Sequence, residues 1–132
     1  MIKPKKSLGQ NFLIDNNIID KIISHAGIKG KNIVEIGPGT GNLTNKIISQ
    51  EPKSLILIEK DKNLSILLKK KFNNNKNLEI YNEDILKFML EKKIKTNSVI
   101  IGNLPYNISS QILIKLIKFK QWLPKYTKLI LM

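Results

Sequence analysis

Read from end to end, the apolar residues fall into short β-branched runs separated by stretches with helical spacing. The first run, Ile33, Val34 and Ile36, reads as a buried parallel strand. Before it, a helix is predicted through about residue 26, capped by Asp15, with Ile18, Ile19, Ile22 and Ile23 on one face and Gly27 and Gly30 closing it. After it, residues 42–50 set Leu43, Ile47 and Ile48 at helical spacing. Further strands are predicted at 54–58, 78–81, 98–101 and 129–132. A helix over 63–72 turns Leu64, Leu67 and Leu68 inward and Lys69, Lys70 and Lys71 outward. Ile85, Phe88 and Met89 have helical spacing behind Asp84, and 92–97 reads as a basic loop. The longest helix is expected over 108–122, with Ile112, Leu113, Leu116 and Ile117 buried, Lys115, Lys118 and Lys120 largely outside, and Pro124 as its stop. Strand and helix in alternation predict an α/β domain with a doubly wound, mostly parallel sheet, whose ligands sit at the carboxyl ends of the strands.

Composition narrows the chemistry. A chain of 132 residues has room for one domain with a core of its own, and a hydrophobic fraction of 42% is that of a globular protein. With no cysteine and a single histidine, His25, which reads as a surface or packing residue, no thiolate or imidazole metal site is expected. The apolar runs are short and interrupted by lysine, so no membrane partner is expected and a cytoplasmic protein is. The net charge of +13 favours a polyanionic partner. All 23 basic residues are lysine, however, and their abundance beside Asn and Ile is also what an AT-rich genome would produce. Lys3, Lys5 and Lys6 either track a phosphate backbone or solvate a loose terminus.

The first strand breaks at Gly37, Gly39 and Gly41. A Cβ in such a loop would block the tight turn and the close approach of a ligand. A dinucleotide loop would need its third glycine at position 42, which is Asn, so NAD and FAD are disfavoured. Glu35 before these glycines makes a Glu-x-Gly-x-Gly-x-Gly loop similar to that of S-adenosylmethionine-dependent methyltransferases, with a phosphate site or a structural glycine turn as the alternatives. Glu59 ends the second strand about 20 positions beyond the first loop glycine, where a carboxylate can accept both ribose hydroxyls. Asp84, just past the third strand, could accept an adenine amine, cap a helix, or do both. Past the fourth strand comes Gly102-Asn103-Leu104-Pro105-Tyr106-Asn107-Ile108-Ser109. Leu104 precedes proline and is held extended; the amide oxygen of Asn103 and the carbonyl of Leu104 can together accept both hydrogens of an exocyclic amine. Those bonds would aim the amine's lone pair at a sulfonium methyl, while the ring of Tyr106 stacks on the base.

Five segments in order, Gly-Gln-Asn-Phe-Leu at 9–13, Val-Glu-Ile-Gly-Pro-Gly-Thr-Gly at 34–41, Ile-Glu-Lys-Asp at 58–61, Glu-Asp-Ile-Leu at 83–86 and Gly-Asn-Leu-Pro-Tyr-Asn-Ile-Ser at 102–109, resemble the ribosomal RNA adenine dimethyltransferases across essentially the whole chain. The details look more like the KsgA type, acting on small-subunit rRNA, than the Erm type, acting on 23S rRNA. The resemblance implies a Rossmann-like methyltransferase fold of strand order 3-2-1-4-5, S-adenosylmethionine as cofactor, and no metal. It implies that Asn11 and Leu13, in an N-terminal segment 1–13, line the cofactor pocket. Gly37 would approach the methionine part, Glu59 the ribose and Asp84 the adenine. Asn103 would touch both cofactor and target amine, with Leu104 and Pro105 shaping the site and Tyr106 stacking on a flipped-out adenosine. Two adjacent adenosines near the 3′ end of 16S rRNA, in a pre-30S particle, are the implied substrate, and a monomer the expected state. Family members continue past the fifth strand with further strands and a helical domain. The domain, 1–132, is therefore expected to be incomplete, truncated after strand 5, with an uncovered sheet edge and doubtful activity alone. A non-catalytic RNA-binding assembly factor and a DNA adenine methyltransferase are the competing readings.

Overall fold

A computed structural model of the chain describes residues 16–118 and 126–131. Its elements are α1 (Asn16–Ala26), β1 (Asn32–Ile36), α2 (Asn42–Ser49), β2 (Ser54–Ile58), α3 (Lys62–Lys71), β3 (Leu78–Tyr81), α4 (Leu90–Lys93), β4 (Ser98–Gly102), α5 (Tyr106–Ile117) and β5 (Tyr126–Leu131). The strands form one parallel sheet in the order β3-β2-β1-β4-β5, as expected. The chain moves outward from β1 to β3, then returns to lay β4 on the other side of β1. In sheets of this order, ligands bind at the carboxyl edge beside that reversal, where the loops leaving β1 and β4 start.

Every residue of β2 and of β4 is buried, because helices cover both faces of the sheet. Ile33, Leu55, Leu57, Val99 and Ile101 pack against Ile19 and Ile22 of α1, Leu43 and Ile47 of α2, and Leu68 of α3 with Phe72 beyond it. The alternate residues Val34, Ile36, Ile56, Ile58 and Ile100 face Ile85, Leu90, Ile94, Ile112 and Leu116. One parity of side chains thus serves each layer.

Several local expectations are corrected. The segment behind Asp84 is not a helix but a turn: the Asp84 carbonyl accepts the N–H groups of Lys87 and Phe88, each at 2.9 Å, and its Oδ1 accepts that of Leu86 at 3.0 Å. Leu90 rather than Met89 enters the core, and Lys92 and Lys93 close the short α4 instead of opening a loop. The helix after β4 begins at Tyr106, because the Pro105 carbonyl already accepts the N–H groups of Ile108 and Ser109. Its buried stripe is also narrower than predicted: Ile112 and Leu116 are buried, whereas Leu113 and Ile117 are 44% and 69% exposed. Among the described residues of α5, Ile108, Ile112 and Leu116 pack into the core layer, and Lys115 reaches over to the carbonyls of Leu86 and Phe88. Lys115 is accordingly half-buried rather than outside. Asp15, Lys120, Trp122 and Pro124 lie outside the described residues.

Candidate functional site

Register lines up the strand ends. Ile36 pairs with Ile58 on one side and with Gly102 on the other, and Ile58 pairs with Tyr81. The next residue of each strand, Gly37, Glu59, Asn82 and Asn103, therefore starts its loop from one line across the carboxyl edge. Three of these were selected from the sequence. Asn82 was not, and it fastens the edge: its side-chain amide donates to the carbonyls of Glu59 (2.9 Å) and Lys60 (3.1 Å). An Asn after a strand is common, and only the pairing of β2 with β3 reveals what it holds.

The glycine loop is shaped by close contacts. Gly37 donates its N–H to the Ile58 carbonyl at 2.9 Å with φ at +68°, in the left-handed region. A Cβ on Gly37 would lie 2.5 Å from Cδ2 of Leu104. The Asn-Leu-Pro-Tyr segment thus rests directly on the first turn of the loop, bringing two separately selected motifs into one site. Glu59 is 4% exposed and closes the other side of the loop. Its Oε1 accepts the N–H of Gly39 at 3.0 Å and its Oε2 that of Asp61 at 2.9 Å. Burial raises its pKa, and these backbone bonds only partly oppose the rise. The Lys60 backbone N–H also bears on this carboxylate, which is thus held at the end of β2 by three backbone donors.

Asp84 sits at the edge of this line with its Oδ2 3.7 Å from Nζ of Lys60, its side chain 23% exposed. It caps a turn and still presents a carboxylate, the combination the sequence left open, with a turn in place of a helix. Asn103, Leu104 and Pro105 are half-buried, and the hydroxyl of Ser109 donates to the Leu104 carbonyl at 3.4 Å. Tyr106 begins α5. The expectation for its ring, and those for Asn11 and Leu13, lie outside the described residues.

Glu35 is wholly buried beneath the loop, and its Oε1 accepts the hydroxyl of Thr44 at 2.6 Å. Burial pushes its pKa up to about 8, with the Thr44 bond opposing and Glu59 adding to the rise. The ordinary value is 4.5. Between these two pH values the unfolded chain releases this proton while the folded chain keeps it. The stability this group contributes below 4.5 is therefore lost as pH rises towards 8, by on the order of a few kcal/mol. Glu35→Gln stays neutral and keeps a carbonyl for Thr44, so its stability is expected to be flatter over that range in urea titrations at about pH 5 and about pH 8. A wild-type chain equally stable at both would refute this.

A model of the ribosomal RNA adenine dimethylase family matches residues 1–132. The chain belongs to that family. Among its relatives, ribosomal RNA small subunit methyltransferase A of Pelagibacter ubique is 51% identical over 115 residues, covering 86% of this chain and 43% of the relative. The chain thus spans less than half the length of that relative. The crystal structure of a dimethyladenosine transferase from Plasmodium falciparum has a TM-score of 0.71 at 36% identity, covering 83% of this chain and 39% of that one. The 23S rRNA methyltransferase ErmE has a TM-score of 0.72 at 26% identity, covering 88% and 45%. Family membership supports S-adenosylmethionine as the cofactor class. Among the described residues no helix is long and apolar enough to cross a membrane.

Proposed function

We propose that this chain serves in the transfer of methyl groups from S-adenosylmethionine to the exocyclic N6 amines of two adjacent adenosines near the 3′ end of 16S rRNA. The observation that carries this reading is the flush line of strand ends, with Leu104 seated on Gly37, in a chain of the adenine dimethylase family. The residues present suit an adenosyl cofactor: a carboxylate fixed beside the glycine loop at Glu59 and a partly exposed carboxylate at Asp84, both at the carboxyl edge of the sheet. When bound, the cofactor supplies an electrophilic methyl on a sulfonium.

In this reading Glu59 accepts the ribose hydroxyls and Asp84 the adenine amine, while Gly37 lets the methionine part approach and Asn11 and Leu13 line the pocket. The side-chain oxygen of Asn103 and the carbonyl of Leu104 accept the hydrogens of the target amine, aiming its lone pair, and Tyr106 stacks on the extruded base. Pro105 fixes the turn between them. Once methylated the amine is cationic and gives its proton to water, so no strong base is needed. The substrate is small-subunit rRNA in a pre-30S particle, met in the cytoplasm by a monomer. The test is tritium transfer from labelled S-adenosylmethionine by the intact protein. Label on undermethylated small subunits is expected; label only on 23S rRNA would favour the Erm type, and salt-sensitive binding without transfer a ribosome-assembly role.

A further inference from the structure

Beside the buried stripe of α5 stands a half-buried cation. Ile108, Ile112 and Leu116 pack against the sheet layer, and Lys115 stands on the same face, where the helical repeat calls for an apolar residue. A charge in that position needs partners. It has them in the turn that follows Asp84: Nζ of Lys115 donates to the carbonyls of Leu86 (3.2 Å) and Phe88 (2.7 Å). The same turn is closed from its other side by Asp84, whose Oδ1 takes the N–H of Leu86 and whose carbonyl takes those of Lys87 and Phe88. Leu86 is thus held through its N–H by Asp84 and through its carbonyl by Lys115. Burial lowers the pKa of Lys115 and the Asp84 charge opposes that drop, so the two side chains sense each other. Lys115 also lies nine residues beyond Tyr106, roughly 13 Å along the helix that starts at the Asn-Leu-Pro-Tyr segment.

We infer that Lys115 is a positioning residue for recognition of the cofactor's adenine: it braces the 84–88 turn from α5 so that the Asp84 carboxylate is presented to the exocyclic amine. The inference rests on the reading that this edge holds S-adenosylmethionine. It ties the base-selecting motif and the adenine-reading carboxylate to one rigid helix. Lys115 acts through the turn it bonds, so its effect is on selectivity and not on the chemical step.

The test compares two ligands by calorimetry on the intact protein: S-adenosylhomocysteine, and its inosine counterpart, which carries a carbonyl in place of the amine. The unaltered protein is expected to prefer the adenosine form by about tenfold or more. Lys115→Met is expected to lose most of that preference, chiefly by weakening the adenosine form, while Lys115→Arg, which keeps charge and donors, retains it. Should Lys115→Met fail to fold, Lys115→Gln, with one donor amide, is read in the same comparison. A Met or Gln variant that weakens both ligands alike, or keeps the full preference, overturns the inference and leaves Lys115 a packing residue. If the unaltered protein binds neither ligand, the cofactor reading itself falls, a result distinct from either of those.

Discussion

Asn103→Ala in the intact protein is expected to slow methyl transfer to undermethylated small subunits by roughly 10²–10³-fold, the scale seen when one preorganised polar group is removed from a reacting centre. Asn103 follows Gly102, the last paired residue of β4, so its backbone is held by the sheet and its side chain is aimed at little conformational cost. The neighbouring Leu104 carbonyl is set by Pro105, which leaves one of the two amine acceptors in place in the variant. The amine can then still bind but is no longer oriented, and the loss should fall on the single-turnover rate more than on RNA affinity. Because Asn103 is only half-buried and outside both core clusters, the melting temperature should barely move. A variant with normal turnover would remove Asn103 from the reacting centre and with it the proposed orientation of the amine.

Glu59→Ala is expected to abolish measurable cofactor binding and to destabilise the fold at the same time. The carboxylate accepts the buried backbone N–H groups of Gly39 and Asp61, and alanine leaves both unsatisfied at about 1–3 kcal/mol each. The two bonds link the glycine loop of β1 to the start of α3, where Asp61 caps the helix by accepting the N–H of Leu64 at 3.0 Å. Their loss would loosen the loop that the cofactor must approach, in addition to removing the acceptors for its ribose. Glu59→Gln separates the two roles. It retains one acceptor oxygen but turns an NH₂ towards a backbone N–H, so part of the stability returns while ribose recognition stays impaired. Urea denaturation and equilibrium dialysis on both variants check this; cofactor binding by Glu59→Ala at near wild-type affinity would show that the carboxylate is structural only.

How much of this could be read in advance differs from residue to residue. Gly37 and Glu59 were legible because each serves a local need: a backbone in the left-handed region, and an acid at a strand end a fixed distance beyond a glycine loop. Asn103, Leu104 and Pro105 were legible because a proline fixes the geometry of the residue before it. Lys115 was misread since a lysine amid apolar residues is ordinarily solvated, and its partners, the carbonyls of Leu86 and Phe88, lie some thirty positions away. Leu113 and Ile117 were misread for the converse reason: periodicity shows that a helix has an apolar side but not how wide a strip its neighbour covers.

The sequence by itself determined the parallel sheet and its strand–loop–helix alternation, because β-branched runs, glycine turns and a proline-locked motif act on the backbone within a few residues, and the resemblance of five ordered segments gave the family. Tertiary structure alone decided that Asn82 clamps two strand ends, that Leu104 rests on Gly37 and that a half-buried lysine bonds the turn behind Asp84. Those are properties of pairs brought together by strand register and layer packing, and no single stretch of chain carries the information for both partners.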